Sequence, residues 1–255
     1  PDRFLKEIEV AAGLSHPHIL PLHDSGDASG VLYFVMPYVE GESLRARLER
    51  EGALPVDEAV RIARELADAL GYAHAHGVIH RDVKPENVLL EAGHAVLADF
   101  GVARAVSDVG EERLTRTGVA VGTPADMSPE QASGDRAANG RVDQYALGCV
   151  LYEMLTGQAP FSGPSSESVI RQHVVAAPPP VTQLRSSVPP GIAAAVEKAM
   201  AKPPADRFGC MEAFVRALEA AQHGTSVPGA SSGTWGRTWV GVAIGVTVVA
   251  AAIAA

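Results

Sequence analysis

Residues 80–87, HRDVKPEN, crowd charged and polar side chains into eight residues without helical or strand periodicity. Asp82 could accept a proton from a hydroxyl, Lys84 could meet developing negative charge, and Asn87 could offer an oxygen ligand to Mg²⁺. Phosphoryl transfer to a hydroxyl needs these three functions, because its catalysis is mainly positioning and electrostatic stabilisation. A second Mg²⁺ ligand is expected nearby, and Asp99 follows the next predicted hairpin. Since Asp and Asn are also ordinary turn formers, the interpretation depends on the whole set.

The segments around this loop predict the elements that hold it. Residues 56–76 carry an apolar stripe at helical spacing and end at Gly77, which predicts an amphipathic helix. Residues 143–156 are apolar nearly all round, which predicts a central, buried helix. The runs NVLLE and AVLAD, separated by residues 92–94, predict a hairpin directly after the loop.

Other elements are predicted on either side of these. Residues 31–36 are aromatic and β-branched and predict a strand that Pro37 ends. The run SLRARLERE predicts a short helix closed by Gly52. Residues 100–132 are rich in Gly, Thr, Ser and Pro, which is typical of a long functional loop.

Composition narrows the class of protein. The 255 residues include 47% hydrophobic residues and carry a formal net charge of −9, so a sizeable core is possible and nucleic acid is not an expected partner. Cys149 and Cys210 have no metal-like spacing and are expected to be buried, which indicates a reducing compartment rather than a disulfide framework. His74, His76 and His80 lack acidic or Cys ligands at a known spacing, so zinc is not predicted.

The C-terminal end predicts a membrane anchor. Residues 238–255 are eighteen uncharged residues, the lower limit for a spanning helix, with Trp235 and Trp239 at the expected interface. Arg237 lies on the side expected to be cytoplasmic. A buried core helix is the alternative interpretation. Residues 221–236 are small and polar, which is typical of a flexible linker.

The motif set resembles the protein kinase family. HRDVKPEN is followed by DFG twelve residues after Asn87, and the resemblance covers roughly residues 1–220. Lys84, two places after Asp82, is typical of the serine/threonine branch. HPHIL, VMPYVEGESL, GTPADMSPEQASG and DQYALGCVLYEMLTGQAPF are similar to bacterial receptor-type kinases, which have a cytoplasmic kinase domain, a linker, one membrane helix and an external sensor.

The resemblance implies a two-lobed α+β fold and a single-pass protein of the cell membrane. Residues 1–38 would be the remnant of the small lobe, with helix C and the last strands. Residues 39–220 would be the mostly helical large lobe. Residues 221–237 would be the juxtamembrane linker, and residues 238–255 the membrane helix.

The resemblance also assigns catalytic roles, with ATP and Mg²⁺ as cofactors. Asp82 would be the catalytic base and Lys84 would contact the γ-phosphate, while Asn87 and Asp99 would bind Mg²⁺. The implied ATP-binding residues are the helix-C glutamate, the gatekeeper and three hinge residues: Glu7, Met36, Pro37, Tyr38 and Val39. The partners would be Ser- or Thr-containing proteins, and phosphorylation in trans would use a homodimer.

Regulatory and structural roles follow in the same way. Arg81 would pair with a phosphate on the activation loop, where Thr115 and Thr117 are the expected targets. Thr123 would belong to the substrate-facing loop. Three further residues would stabilise the large lobe: Glu130 pairing with Arg207, and Asp143 bracing the catalytic loop.

Two departures from the family pattern are expected to matter. No glycine-rich loop and no strand lysine precede Glu7, so the chain as given is expected to bind ATP poorly and transfer little phosphate. A pseudokinase acting as a binding module is therefore the alternative function. A small-molecule phosphotransferase is a third class, disfavoured by the long loop and the SPE motif. Asp126 replaces the large side chain usual in relatives, which would change packing or favour a basic residue in the substrate.

Overall fold

A computed structural model describes residues 13–28, 31–100, 126–134 and 139–222. The strands in chain order are β1 (Asp24–Ala28), β2 (Val31–Val35), β3 (Glu42–Ser43), β4 (Val88–Glu91) and β5 (His94–Leu97). The helices are α1 (Leu44–Glu51), α2 (Val56–Ala75), α3 (Pro129–Ala132), α4 (Arg141–Thr156), α5 (Ser166–Val175), α6 (Val181–Leu184), α7 (Pro190–Ala199) and α8 (Met211–Gln222). Short 3₁₀ turns cover Pro85–Asn87 and Pro204–Asp206.

The strands form two antiparallel sheets. β1 pairs with β2, and β4 lies between β3 and β5 in a second sheet. The β4–β5 turn consists of Ala92 and Gly93, at φ 48° and 86°. His94 pairs with Glu91 and therefore belongs to β5, although it was predicted in the loop. A two-residue turn with positive φ at both positions matches the twist of a hairpin, which explains the shorter connection.

Local sequence signals account for the first two helices. Ser43 caps α1 by accepting a hydrogen bond from the Ala46 N–H at 3.2 Å, and Gly52 follows its end at φ 71°. The helix predicted over 56–76 is confirmed as α2. Its buried face repeats at helical spacing: Ala59, Val60, Ile62, Ala63, Leu66, Ala67, Ala69, Leu70 and Ala73.

Helix α4 is the centre of the molecule, as its uniform apolarity predicts. All of its residues except those at its two ends are buried. It contacts α2 on one side and α7 on another, while α8 packs against both α2 and α7. A Cβ at Gly148 would lie 2.9 Å from the Met200 side chain, so α7 can approach α4 closely there only because this residue is Gly.

The two cysteines differ in their surroundings. Cys149 is buried in α4, as expected, whereas Cys210 is exposed. The expectation of burial was wrong for Cys210 because it lies just before α8, outside the helical core. Both cysteines are free, which agrees with the absence of a disulfide framework in the sequence pattern.

The described part of the chain contains no helix that is both long and apolar enough to span a bilayer. The membrane helix predicted over residues 238–255 lies outside the described residues, as does most of the predicted linker.

Candidate active site

Helix α4 fixes the backbone of the loop at 80–87 through one buried carboxylate. Asp143, fully buried in the first turn of α4, accepts hydrogen bonds from the His80 N–H at 2.9 Å and the Arg81 N–H at 2.7 Å. His74 Nε2, at the end of α2, lies 2.7 Å from the same carboxylate. Arg81 adopts φ 68°, an unusual conformation for a non-glycine residue that these bonds help to hold.

His80 connects the loop to the segment that follows β5. Its Nε2 lies 2.8 Å from the Ala98 carbonyl, while its Nδ1 lies 3.2 Å from the Asp82 N–H. A ring that donates from Nε2 and accepts at Nδ1 satisfies both contacts. The Phe100 ring meets the imidazole edge-on, with centroids 4.6 Å apart. The imidazole therefore links the position of Asp82 to that of the DFG segment.

Asp82, Lys84 and Asn87 meet in a single group, in which Asn87 is buried and the other two are half-buried. Lys84 Nζ lies 2.7 Å from Asp82 Oδ2. Asn87 Nδ2 donates to the Asp82 carbonyl at 2.8 Å and to Asp82 Oδ2 at 3.1 Å. The Asn87 amide nitrogen is thus engaged with Asp82, and its amide oxygen remains as the atom suited to a cation.

The register of the hairpin brings Asp99 next to Asn87. Val88 pairs with Leu97, and the Ala98 N–H donates to the Asn87 carbonyl at 2.9 Å. Asp99 comes immediately afterwards, half-buried and at φ 64°. An amide oxygen and a carboxylate at one end of a hairpin are the hard oxygen ligands that Mg²⁺ prefers.

The oxygen ligands that Asn87 and Asp99 offer fit a magnesium site. Among the described residues, no group of three or more His, Cys, Asp and Glu side chains could hold a metal on its own. Mg²⁺ usually binds through one or two protein side chains, substrate phosphates and water, so Asn87 and Asp99 form a sufficient protein contribution. These two residues would hold Mg²⁺ against the phosphates of a nucleotide.

The predicted hinge lies between the two sheets. Met36, Pro37 and Val39 are half-buried in the connection between β2 and β3, and Tyr38 is 88% exposed. Backbone groups in such a connection can meet a planar base without competing strand partners.

A buried ion pair anchors α3, which lies at the C-terminal end of the predicted long loop at residues 100–132. Arg207, 3% exposed, donates two parallel hydrogen bonds to the Glu130 carboxylate at 2.6 and 2.7 Å. Its guanidinium also donates to the carbonyls of Arg141 and Ala201, both at 2.8 Å. The pair ties α3 to the start of α4 and to the turn before α8.

Two residues in this arrangement were missed by reasoning from the sequence. His74 was considered only as a metal ligand, yet it contacts Asp143. Gln131 donates to the Arg81 carbonyl at 2.8 Å while its side chain completes a capping box with Ser128. The spacing of Ser128 and Gln131 signals the cap, but nothing in it signals the contact with Arg81. Glu7, Thr115, Thr117 and Thr123 lie outside the described residues.

Comparisons with known proteins agree with the motif set. The model of the protein kinase domain family matches residues 1–217. The serine/threonine-protein kinase PknD of Mycobacterium tuberculosis strain H37Rv is 48% identical over 208 residues, which are 81% of this chain and 31% of PknD. The serine/threonine-protein kinase PknB of Mycobacterium leprae is 44% identical over 211 residues, 81% of this chain and 33% of PknB. The chain spans about a third of the length of these relatives.

A solved structure shows the same fold. The crystal structure of the Mycobacterium tuberculosis PknI kinase domain, in a mutant form, is 33% identical in sequence to this chain and has a TM-score of 0.69. The similarity covers 87% of this chain and 78% of that one. The resemblance to bacterial serine/threonine kinases is thus confirmed, and the chain belongs to the protein kinase domain family.

Proposed function

We propose that the protein transfers the γ-phosphate of ATP to Ser and Thr hydroxyls of other proteins. The observation that carries this proposal is the group of Asp82, Lys84 and Asn87, which meets within hydrogen-bonding distance beside Asp99. Similarity to serine/threonine kinases supports the choice of hydroxyl substrate.

Each residue of this group has a distinct part in the reaction. The Asp82 carboxylate orients the substrate hydroxyl and accepts its proton as the oxygen attacks the γ-phosphorus and the bond from that phosphorus to the oxygen of the leaving ADP breaks. Lys84, which pairs with Asp82 at 2.7 Å, can turn its ammonium to the transferred phosphoryl group as negative charge spreads over the oxygens. Mg²⁺, when bound, neutralises charge on the phosphates, and Asn87 and Asp99 are the residues that would hold it. ATP would be positioned with its adenine against the hinge at residues 36–39.

Regulation by phosphorylation is part of the proposal. A phosphate on Thr115 or Thr117 would pair with Arg81, whose backbone is fixed by Asp143 and Gln131. A homodimer would bring the loop of one copy to the active site of another. The fixed backbone of Arg81 supports a defined position for its guanidinium.

A membrane location is the remaining part of the proposal. The uncharged run at 238–255 has the length and composition of a single span, and the basic Arg237 precedes it. The kinase domain would then lie in the cytoplasm. A binding module without chemistry would not need Asp82, Asn87 and Asp99 together, and no contact among the described residues favours that alternative.

The test is an Asp82→Asn substitution in the full-length protein. The amide keeps the shape of the side chain but cannot accept the proton, so kcat for phosphorylation of a generic basic protein should fall by about 10²–10⁴-fold. The affinity for Mg²⁺ and ATP should change little. Asp57→Asn, at an exposed position of α2, is the control. An unchanged kcat in Asp82→Asn would contradict the proposed function.

A further inference from the structure

The side-chain amine of Lys202, in the segment between α7 and α8, has no anionic partner among the described residues. Its Nζ lies 3.2 Å from the Tyr145 hydroxyl oxygen and 3.5 Å from the Gln172 carbonyl oxygen, and both acceptors are uncharged. The Glu130 carboxylate of the same region is occupied by two hydrogen bonds from Arg207. The amine of Lys202 therefore has hydrogen-bond acceptors but no ion pair.

Two aromatic rings and a second cation surround this amine. Lys202 Nζ lies 4.5 Å from the centroid of the Phe161 ring and 5.6 Å from that of Tyr145. The central guanidinium carbon of Arg207 lies 4.9 Å from the same Tyr145 centroid. Both rings are buried, so they exclude water from their side of the amine. Poor solvation and a nearby like charge both favour the neutral form of a lysine.

The remaining titratable groups around Lys202 supply no negative charge to offset this. Burial raises the pKa of the Cys149 thiol and of the Tyr145 hydroxyl, so both are neutral at pH 8. The His173 ring lies 3.0 Å from the Tyr145 oxygen through its Nδ1, and an imidazole is neutral or cationic. Burial, with the charge of Arg207 adding to it, lowers the pKa of Lys202 to about 8.

We propose that Lys202 is a modification site that reacts with activated acyl groups, namely acyl phosphates or acyl thioesters. A neutral amine in apolar surroundings is the nucleophilic form of lysine. Lys202 is half-buried rather than enclosed, and Pro203 and Ala205 beside it are exposed, so a small reagent can approach from this turn. The reaction uses no residue of the catalytic loop and does not depend on the proposed function.

The acyl transfer balances without a further reactant. The amine nitrogen attacks the acyl carbon and forms a C–N bond, while the C–O bond to phosphate or the C–S bond to the thiol breaks. The leaving phosphate or thiolate takes the electron pair of the broken bond. The nitrogen gives its extra proton to water, and the product is an uncharged amide.

Acylation of Lys202 should loosen the end of α5. Gln172 lies in the last turn of this helix, where carbonyl groups carry partial negative charge and a nearby cation is stabilising. The amide product has no charge and only one N–H for the two acceptors. Hydrogen–deuterium exchange of the last turn of α5 should therefore be faster after acetylation, and unchanged exchange would overturn this effect.

Lys198 provides a matched comparison in the same chain. It is exposed on α7, and its Nζ lies 4.7 Å from the centroid of the Phe208 ring, so it has an aromatic contact without the burial of Lys202. The full-length protein should be incubated at pH 8 with acetyl phosphate or with acetyl-coenzyme A. Mass spectrometry of peptides then gives the acetylation rate at each lysine.

Lys202 should be acetylated about tenfold faster than Lys198 in the folded protein. The larger neutral fraction of the amine favours Lys202 by more than this, but a less basic and more crowded nitrogen attacks more slowly. Faster reaction at Lys202 with either donor supports the site and identifies the class of acyl group that it takes. The rate at Lys202 should rise with pH and begin to level off near pH 8.

Unfolding separates the effect of the fold from that of the local sequence. In urea the ratio of the two rates should fall to about one, because both amines are then fully solvated. Lys202→Arg should remove the fast acetylation and leave the rate at Lys198 unchanged, which checks the assignment of the modified residue.

Two results would overturn the inference. One is equal acetylation of Lys202 and Lys198 in the folded protein with both donors. The other is a ratio that urea does not change, since the local sequence would then account for the difference. A wild type without phosphoryl-transfer activity would contradict the proposed function and leave the acetylation of Lys202 as expected, so the two failures are distinguishable.

Discussion

Two buried charged residues hold the segments of the site in place: Asp143 holds the catalytic loop, and Arg207 holds α3. Asp143 is satisfied by two backbone N–H groups and by His74, and Arg207 is satisfied by Glu130 and several carbonyls. Removing one member of such a network leaves a charge buried without its partner. The free-energy cost of that unpaired charge, more than the lost attraction within the pair, makes the stability of the fold sensitive to substitution at these positions.

Arg207→Ala should destabilise the protein strongly for this reason. Loss of the guanidinium leaves the Glu130 carboxylate and the carbonyl of Arg141 without their donor, and breaking a buried pair costs about 3–5 kcal/mol of unfolding free energy. Urea denaturation measures the change. Arg50→Ala is the matched control, because the Arg50 side chain is 56% exposed in its pairs with Glu42 and Glu51. A similar loss in both variants would contradict the interpretation.

At the element scale, the β4–β5 hairpin positions both predicted Mg²⁺ ligands. Ala92→Asn should stabilise it, because Ala92 is held at φ 48°, a conformation that Asn adopts more readily. The unfolding free energy should rise by about 0.5–1 kcal/mol. Ala53→Asn is the control at an exposed position without positive φ. Equal effects of the two substitutions on the urea midpoint would rule out relief of backbone strain.

The elements predictable from the sequence are those with a long or sharply bounded pattern. The apolar stripe of α2 and the uniform apolarity of α4 repeat over several turns and outweigh local exceptions. β1 was not predicted, because its sequence DSGDA has no β-branched or aromatic residue and its pairing comes from β2. β3 was not predicted either, because it is only two residues long and forms a strand only through its pairing with β4.

The site likewise contains residues that a local sequence pattern predicts and residues that only the packing of the helices brings together. Asp82, Lys84 and Asn87 were predictable because they lie in one loop, where residue type and order carry the signal. His74 lies 69 residues before Asp143, and their contact exists only because α2 and α4 pack together. The surroundings of Asp126 likewise come from α1, α4 and the catalytic loop, which no local pattern brings together. The roles assigned to these site residues stay predictions.

At the scale of the whole molecule, the site lies where the β4–β5 hairpin meets the helical core. α2 contacts β5, and Asp143 at the start of α4 holds the catalytic loop that precedes β4. A ligand bound to Asn87 and Asp99 therefore touches elements that are continuous with the central helices. Its binding free energy should add to the stability of the whole folded chain by mass action.

Mg²⁺ and ATP should therefore raise the melting temperature of the full-length protein. At 100 times its dissociation constant, a ligand specific for the folded state adds about 2.7 kcal/mol, which corresponds to roughly 5–10 °C for a chain of this size. EDTA should remove the magnesium-dependent part of the shift. Asp99→Asn should lose that same part, because the amide no longer supplies a negative charge to the cation, whereas Asp57→Asn should keep it. A full magnesium-dependent shift in Asp99→Asn would show that Asp99 does not bind the metal, and would direct the search for its ligands away from the end of the β4–β5 hairpin.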